Sequence, residues 1–133
     1  MTTGKTSTPE AQIRERLEDW TQAIRARDIE NVLAHHSADV VMFDVPPPVE
    51  WRGIQKYRES WEYFFKYFPR DGGVFDIETL EIATSGELAC AYGLLRCGKP
   101  QDTFPVRLTV CLRRIDGEWT IVHEHHSVPA ADT

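Results

Sequence analysis

The chain of 133 residues has the length of one domain. It carries 15 Lys and Arg against 21 Asp and Glu, a net charge of -6, which argues against a general nucleic-acid or anionic-membrane surface, because both need a basic patch. No apolar run approaches the roughly 18 residues of a membrane span, and the first residues lack the apolar segment of a secretory signal. Three cysteines without metal-ligand spacing predict reduced thiols. We therefore expect a cytoplasmic protein that binds neither nucleic acid nor membrane.

Three helices and one short strand are predicted in the first half of the chain. The first helix begins after Thr8, a capping residue, and carries one apolar stripe at helical spacing: Ile13, Leu17, Trp20 and Ile24. Asp28 is predicted to cap a second, shorter helix whose apolar face runs on to His36. A strand over Asp39–Asp44 stops at a proline run. The third helix follows Gly53 and has the strongest helical pattern of the chain.

The second half changes to a period of two residues, which is typical of strands. Four strands are predicted, over 74–83, 88–97, 104–114 and 118–128. The apolar phase of the first slips between Ile77 and Leu80, which predicts a bulge that bends the strand. Helices followed by antiparallel strands indicate an α+β fold with the helices on one face of the sheet. A bent four- or five-stranded sheet around three helices forms a cone with one open end, where small ligands bind.

Asp44 is the first candidate for chemistry. It ends an otherwise apolar strand and precedes a proline run, so its carboxylate can lie at the mouth of the core. Desolvation there would raise its pKa toward that of a general base. The alternative interpretation is a solvated aspartate that starts the turn before Pro46.

The last strand carries the second set of candidates, in the run from His123 to His126. Alternation puts His123 and His125 on one face and Glu124 and His126 on the other. The spacing of the first pair is able to chelate a metal. No third ligand is evident, so metal binding is the weaker alternative and no cofactor is expected.

The turn before this strand decides which of its faces points inward. With the two-residue loop Asp116-Gly117, Val110 lies opposite His123, whose face is then the apolar one. With a three-residue loop and a bulge, Val110 lies opposite Val122, and the face of Glu124 joins the apolar side. One residue of register flips every side chain, and alternation alone leaves both arrangements open.

Four further residues combine a core position with polar atoms that are able to border a cavity: Trp20, His36, Tyr57 and Trp61. His36 is expected to be a core histidine whose hydrogen bonds are satisfied within the protein. The aromatic residues are core by default, and the cysteines are expected to be small buried hydrophobes.

Several stretches and their order are similar to one known family. They are Asp28-Ile-Glu-Asn-Val-Leu, Asp39-Val-Val-Met-Phe-Asp44, Trp51-Arg-Gly53 and the run from Asp116 to Pro129. From about residue 10 to 129 the chain resembles the SnoaL-like and ketosteroid-isomerase-like branch of the nuclear transport factor 2 superfamily. Its ending is also similar to the association domain of calcium/calmodulin-dependent kinases. The resemblance implies a cystatin-like cone, with three N-terminal helices packed in the concavity of a strongly bent, mostly antiparallel sheet. The single domain would span residues 9–129, between a flexible N-terminus (1–8) and a tail (130–133).

The resemblance also implies a site. Asp44 falls on the catalytic base of ketosteroid isomerases, which removes a proton next to a carbonyl. Trp20 takes the position of the oxyanion-hole tyrosine and Val110 that of the protonated aspartate, so both donors are absent in their usual form. When the chain is overlaid on the kinase association domain, His126 takes the position of one arginine of its pocket. Val110 takes the position of a second pocket arginine.

Both overlays favour the three-residue turn, because they place one face of the last strands inward: Val110, Val122, Glu124 and His126. His123 and His125 would then lie on the convex face, through which relatives commonly form dimers.

Two functions follow from this pattern. The first is a cofactor-free acid/base isomerase, cyclase or dehydratase on a small carbonyl or polyketide-like substrate. Asp44 would be the base and His126 or Glu124 its proton partner, in a site with these ligand-binding residues: Trp20, His36, Tyr57, Trp61, Val110 and Val122. The second is a non-catalytic ligand-binding or dimerising association module.

Overall fold

A computed structural model describes residues 7–131, so most of the predicted N-terminal segment (1–8) and part of the predicted tail (130–133) lie outside the described residues. The helices are α1 (Pro9–Arg25), α2 (Ile29–Leu33) and α3 (Ile54–Phe65). The strands are β1 (His36–Phe43), β2 (Trp51–Arg52), β3 (Val74–Ser85), β4 (Leu88–Lys99), β5 (Asp102–Ile115) and β6 (Glu118–Ser127). No helix within residues 7–131 has both the length and the apolar character to cross a membrane.

The strands form one curved, six-stranded sheet in the order β2-β1-β6-β5-β4-β3. Every neighbouring pair is antiparallel except β1 and β6, which run parallel. The predicted α+β class and the mostly antiparallel sheet are confirmed. The sheet has one strand more than the pattern indicated, because the two-residue strand β2 is too short to produce alternation.

The two N-terminal helices begin where the sequence predicts. The Thr8 side chain accepts a hydrogen bond from the Ala11 N–H at 3.1 Å, and Asp28 caps α2 in the same way. The second helix ends at Leu33, because Ala34 has an extended backbone with ψ of 144° and His35 then has a left-handed one with φ of 64°. His36 therefore begins β1, and the prediction that it continues the apolar face of the helix was wrong.

The predicted bulge in β3 is confirmed. The register of β3 against β4 shifts between Ile77 and Thr79, so the strand bends at this point. The bend brings β3 against Gly93 of β4, where a Cβ atom would lie 1.9 Å from the carbonyl oxygen of Thr79. Only glycine fits such an approach of two backbones.

The hairpin between β5 and β6 has the two-residue turn, and the predicted three-residue turn was wrong. Ile115 pairs with Glu118, directly across Asp116-Gly117. The register then shifts inside the strand, because Val122 is an additional residue between the pairs Leu112–Ile121 and Cys111–His123. Val110 consequently lies opposite Glu124. Val110, Glu124 and His126 face inward as predicted, but Ile121 is buried in place of Val122, because the bulge in the strand, and not the turn, sets the register.

The core lies between the helices and the concave face of the sheet. Helix α1 buries Ile13, Leu17 and Ile24 and contacts β3 and β6, while α3 packs against β1 and β2. Aromatic rings fill the centre, where Trp20 and Trp61 meet edge to face with ring centroids 5.9 Å apart. This packing closes the narrow part of the cone.

Candidate functional site

A buried carboxylate lies at the centre of the site. Glu124 projects from β6 into the core, where it is completely inaccessible to solvent. One oxygen, Oε2, accepts hydrogen bonds from the Tyr57 hydroxyl at 2.6 Å and from His36 Nε2 at 2.5 Å. The other, Oε1, accepts from His126 Nε2 at 3.1 Å. Three hydrogen bonds from protein donors therefore replace those that the carboxylate would make to water.

The charges of this cluster stabilise one another. Burial alone would raise the pKa of Glu124, but hydrogen bonds from His126 and His36 outweigh it and hold the pKa at about 2. Burial likewise lowers the pKa of His126, but the Asp44 and Glu124 carboxylates on either side raise it to about 9. His126 is therefore an imidazolium and Glu124 a carboxylate at neutral pH. Burial and the charge of Glu124 raise the pKa of Tyr57 well above its usual value.

The far side of the cluster is closed by the protein itself. His36 Nδ1 donates to the Ala34 carbonyl at 2.9 Å, and the Tyr57 hydroxyl accepts from the Trp20 indole at 3.1 Å. The indole of Trp61 lies on the same side of Tyr57 but does not reach hydrogen-bond geometry. These groups position Glu124, and the predicted satisfied core role of His36 agrees with its two hydrogen bonds.

Asp44 lies on the side of His126 that faces away from Glu124. It follows β1 directly, and its Oδ1 accepts from the Val45 N–H at 2.8 Å and lies 3.5 Å from His126 Nδ1. Its Oδ2 accepts no hydrogen bond from the described residues, and its side chain is 23 % exposed. Asp44, His126 and Glu124 thus form a line from solvent to the core, which we call the Asp-His-Glu series.

A cavity of about 620 Å³ opens at the Asp44 end of this series. Its walls come from the loop after β1, from α3 and the turn that follows it, and from the ends of β3–β6. The lining residues are mostly apolar or aromatic: Asp44, Val45, Pro46, Trp51, Ser60, Trp61, Tyr63, Phe64, Tyr67, Phe75, Leu95, Cys97, Phe104, Pro105, Val106, His126, Val128 and Pro129. Concave, mostly apolar sites with a few convergent polar groups are typical of small-molecule binding.

The polar side chains of the cavity lining differ in their hydrogen-bond partners and in their reactivity. The Ser60 hydroxyl donates to the Tyr57 carbonyl at 2.6 Å. Burial and the Asp44 charge raise the pKa of the Cys97 thiol to about 11, so it is a poor nucleophile at neutral pH. The indole N–H groups of Trp51 and Trp61 are buried and meet no acceptor within residues 7–131.

The predicted site residues separate into three groups. Asp44, His126 and Trp61 line the cavity, and Glu124 lies one hydrogen bond behind it. Four expected wall residues lie in the buried core or beside the buried carboxylate instead: Trp20, His36, Tyr57 and Val110. Val122 is the bulge residue of β6 and also lies outside the lining. These five residues lie outside the lining of this cavity because aromatic side chains fill the inner part of the cone.

Several lining residues were not predicted. Phe64 was predicted only as part of the apolar face of α3, and the lining residues of β5 only as strand residues. Trp51 belongs to the Trp51-Arg-Gly53 motif, and its place in this motif was the one feature of the sequence that could have marked it as a site residue.

The two other histidines of β6 lie on the outer face of the sheet. Their rings flank Phe43, with centroids 4.8 Å away for His123 and 5.4 Å for His125. His123 Nδ1 donates to the Val41 carbonyl at 2.7 Å. The described part of the chain brings no three His, Cys, Asp or Glu side chains together in a metal-binding arrangement. Nothing there completes a metal site on this pair.

The geometry is suited to moving a proton at the cavity wall. Asp44 presents an oxygen without a protein donor, while His126, held cationic, lies on its other side. A cation at this position stabilises a neighbouring oxygen that gains negative charge as the proton leaves. A general base must come within about 2.6–3.2 Å of the group whose proton it takes, and Asp44 is part of the lining that a ligand in the cavity would meet.

Comparison with known proteins gives one family model and many solved structures. Residues 13–131 match the model of the SnoaL-like domain. An NTF2-like protein of unknown function from Pseudomonas putida KT2440 is 34% identical with a TM-score of 0.83, over 93% of this chain and 90% of that one. No functionally curated protein matches the sequence.

More distant structures show the same fold at low identity. A protein of Parabacteroides distasonis ATCC 8503, named as a candidate ketosteroid isomerase, is 18% identical with a TM-score of 0.78, over 98% of this chain and 96% of that one. A protein of Xanthomonas campestris, named as a candidate calcium/calmodulin-dependent kinase association domain, is 15% identical with a TM-score of 0.75, over 97% of both chains. Others are described as having a cystatin-like fold. The resemblance and the fold predicted from the sequence are confirmed.

Proposed function

Because the chain belongs to the SnoaL-like domain family, a small-molecule-binding fold, we propose that it binds a small carbonyl or polyketide-like compound and moves a proton on it without a cofactor. The reaction would be an isomerisation, cyclisation or dehydration. The observation that carries this proposal is the Asp-His-Glu series, which ends with Asp44 and His126 on the wall of an apolar cavity.

Each member of the series has one role in the proposed reaction. Asp44 is the base and takes a proton from the carbon next to the carbonyl, using the oxygen that no protein group occupies. His126 remains cationic and stabilises charge beside Asp44. Glu124 acts through His126, because it holds the imidazolium in place and keeps its pKa high. Glu124 is therefore a positioning residue, whereas Asp44 touches the substrate.

Proton exchange tests this proposal before the natural substrate is known. The probe is 2-tetralone, a compact bicyclic ketone with exchangeable protons next to its carbonyl. In D₂O the protein is expected to accelerate deuterium uptake at that carbon, and Asp44→Asn is expected to lose on the order of 100-fold or more of the acceleration, as general bases contribute. NMR measures the rate.

Asp39→Asn is the matched control, since Asp39 is an exposed aspartate of β1, the strand that Asp44 follows, and lies outside the cavity lining. It is expected to exchange protons as the unaltered protein does. Equal rates for Asp44→Asn and the unaltered protein, or no acceleration by either, contradict the assignment of Asp44.

A second candidate function is self-association, and exposed apolar side chains favour it. The register places a row across four strands of the outer face: Tyr92, Thr109, His125 and Phe43. Tyr92 and Phe43 in this row and Leu94 beside it are exposed. We propose that a second copy of the chain covers this face to form a homodimer, which is compatible with binding, with or without catalysis, on the inner face. One related structure carries the name of an association domain.

A further inference from the structure

Two of the three cysteines lie next to each other on the outer face of the sheet. Cys90 of β4 and Cys111 of β5 are directly opposite residues of neighbouring antiparallel strands. Ala91 and Val110, their neighbours along the strands, are fully buried in the core, so alternation points the two thiols outward. Both thiols are free and half-buried, whereas Cys97 is buried and lines the cavity. The expectation that all the cysteines are small buried hydrophobes is therefore wrong for this pair.

The hydrogen bonds of the sheet show that this is a closely spaced pair. In an antiparallel ladder, hydrogen-bonded pairs alternate with non-hydrogen-bonded pairs, whose Cα atoms are only about 4.5 Å apart. The Arg114 N–H donates to the carbonyl of Glu87, the residue opposite it, at 2.8 Å, so these two form a hydrogen-bonded pair. Cys90 and Cys111 lie three positions further along the same ladder, and no register shift intervenes. They therefore form a non-hydrogen-bonded pair, in which the side chains come closest.

This spacing of the two backbones allows a bond between the sulfur atoms. A disulfide needs Cα atoms about 4.4–6.8 Å apart and Cβ atoms that do not point away from each other. Directly opposite residues on one face of a sheet meet both requirements. Burial, the charge of Cys90 and a hydrogen bond between the two thiols raise the pKa of the Cys111 thiol. The second and third of these causes act only between thiols that face each other at short range.

Cys97 is too far away to take part. It lies on the concave side of the sheet, and the seven residues that separate it from Cys90 along β4 span about 20 Å. In an unfolded chain the preference would be the reverse, because Cys90 and Cys97 close the shorter loop. Pairing of Cys90 with Cys111 is thus a property of the folded sheet.

We propose that Cys90 and Cys111 form a site of thiol–disulfide exchange, which a small disulfide such as glutathione disulfide converts into a disulfide bond within the chain. The inference goes beyond the proposed function, since it does not rest on the cavity or on Asp44. It assigns the outer face of the sheet a chemistry of its own.

The reaction consists of two exchange steps. The thiolate of one cysteine attacks a sulfur atom of glutathione disulfide, the S–S bond of the small molecule breaks, and one glutathione leaves as its thiolate. The thiolate of the other cysteine then attacks the protein sulfur of this mixed disulfide, and the second glutathione leaves. The two protons of the protein thiols end on the two released glutathione molecules. The protein sulfurs lose two electrons together, and glutathione disulfide is the oxidant that accepts them.

Thiol counting in the folded protein tests the inference without any substitution. The reduced protein is incubated with glutathione disulfide, quenched with acid and alkylated with N-ethylmaleimide, and its tryptic peptides are identified by mass spectrometry. We expect the loss of two free thiols, a link between the peptides of Cys90 and Cys111, and alkylation of Cys97. Three free thiols, lasting glutathione adducts on the pair, a link that includes Cys97 or a link between two chains overturns the inference.

Single replacements separate the two exchange steps. Cys111→Ser removes the thiol that resolves the mixed disulfide, so glutathione is expected to remain on Cys90. Cys90→Ser is expected to retain glutathione on Cys111 in the same way. Cys97→Ser is the matched control and should form the disulfide within the chain as the unaltered protein does. Absence of the glutathione adduct from both variants of the pair, or loss of the disulfide in the control, overturns the inference.

The same reaction in urea shows whether the fold directs the pairing. In the unfolded chain the link between Cys90 and Cys97 is expected to become the more frequent one. The same products in folded and unfolded protein overturn the inference.

The proposed homodimer covers the neighbouring row of the outer face, which contains Tyr92, so a second copy would slow the exchange. Tyr92→Glu is therefore expected to react at least as fast as the unaltered protein and to form the same link between Cys90 and Cys111. A different link in Tyr92→Glu overturns the inference. The outcome is independent of proton transfer in the cavity, because deuterium uptake by a ketone is measured on the fully reduced protein.

Discussion

At the residue scale, Glu124 decides the electrostatics of the whole site. It accepts hydrogen bonds from Tyr57, His36 and His126, and it is inaccessible to solvent. A buried carboxylate is tolerated only when donors surround it, and removing one partner of such a cluster leaves the others without compensation. The charge on His126, and through it the environment of Asp44, therefore depends on a residue that does not touch the cavity.

Glu124→Gln is expected to lower the free energy of unfolding by about 3 kcal/mol, because the imidazolium of His126 loses its buried counter-charge and one amide group cannot accept all three hydrogen bonds. Glu118→Gln on the same strand is the control. Glu118 is largely exposed and paired only with Arg16, so its replacement should cost less than about 1 kcal/mol. Urea unfolding at pH 6 measures both, and equal losses would contradict the central position of Glu124.

The pH dependence of stability follows from the same two groups. His126 has its pKa raised from 6.5 to about 9, so its contribution is complete below pH 6.5 and is lost as the pH rises through 9. Glu124 has its pKa lowered from 4.5 to about 2, so its contribution is complete above pH 4.5 and is lost as the pH falls toward 2. The unaltered protein should therefore be most stable between these limits, and Glu124→Gln should decline less toward alkaline pH.

Part of the site could be predicted from single residues. Asp44 was identified because it ends an apolar strand, and His126 because titratable groups follow one another in β6. Trp51 could not be predicted as a lining residue, because the two-residue strand β2 leaves no pattern in the sequence. His36 was assigned to a helix, since a pattern of apolar spacing does not reveal the extended Ala34 and the left-handed His35 that follow α2.

At the element scale, two bulges determine what the sheet can hold. The bulge of β3 bends the edge of the sheet and was predicted, because the apolar phase changes visibly from Ile77 to Leu80. The bulge of β6 turns Glu124 and His126 inward and was not located, because Val122 is apolar and fits either face. A register shift leaves a trace in the sequence only when the residues on both sides differ in polarity.

The bend of β3 depends on Gly93. Gly93→Ala is expected to cost about 3 kcal/mol of unfolding free energy, the upper end of ordinary overpacking, because its Cβ would meet a backbone carbonyl that cannot move independently. The control is Gly86→Ala in the preceding turn, where φ is 59° but the added methyl group meets nothing. It should cost about 1 kcal/mol from backbone strain alone. Urea unfolding compares them, and a Gly93→Ala protein as stable as the control would contradict the bend.

At the scale of the whole molecule, the sheet separates two surfaces with different proposed roles. The concave side holds the buried cluster and the cavity, while the outer side presents Tyr92, Leu94 and Phe43. The predicted cone and its family follow from the order of the elements and a few short motifs. The depth to which aromatic side chains fill the cone depends on three-dimensional packing, so the cavity wall was predicted less well than the fold.

Self-association is tested with a charge on the outer face. Tyr92→Glu is expected to convert a dimer into a monomer, because two carboxylates would meet across an apolar contact. Gln22→Glu is the control, since Gln22 is exposed on α1, which packs on the opposite, concave face of the sheet. Light scattering after size-exclusion chromatography gives the masses. A monomeric unaltered protein at micromolar concentration, or a dimer that survives in Tyr92→Glu, would contradict the dimer.

The central proposal for the whole molecule is that the cavity binds a ketone with its reactive carbon against Asp44. A crystal structure of the protein with 2-tetralone tests this claim most directly. The predicted result is the ketone in the cavity, with the carbon next to its carbonyl in contact with an Asp44 oxygen. A ketone bound outside the cavity, or turned so that its carbonyl points to solvent and its ring lies away from Asp44, would contradict the claim.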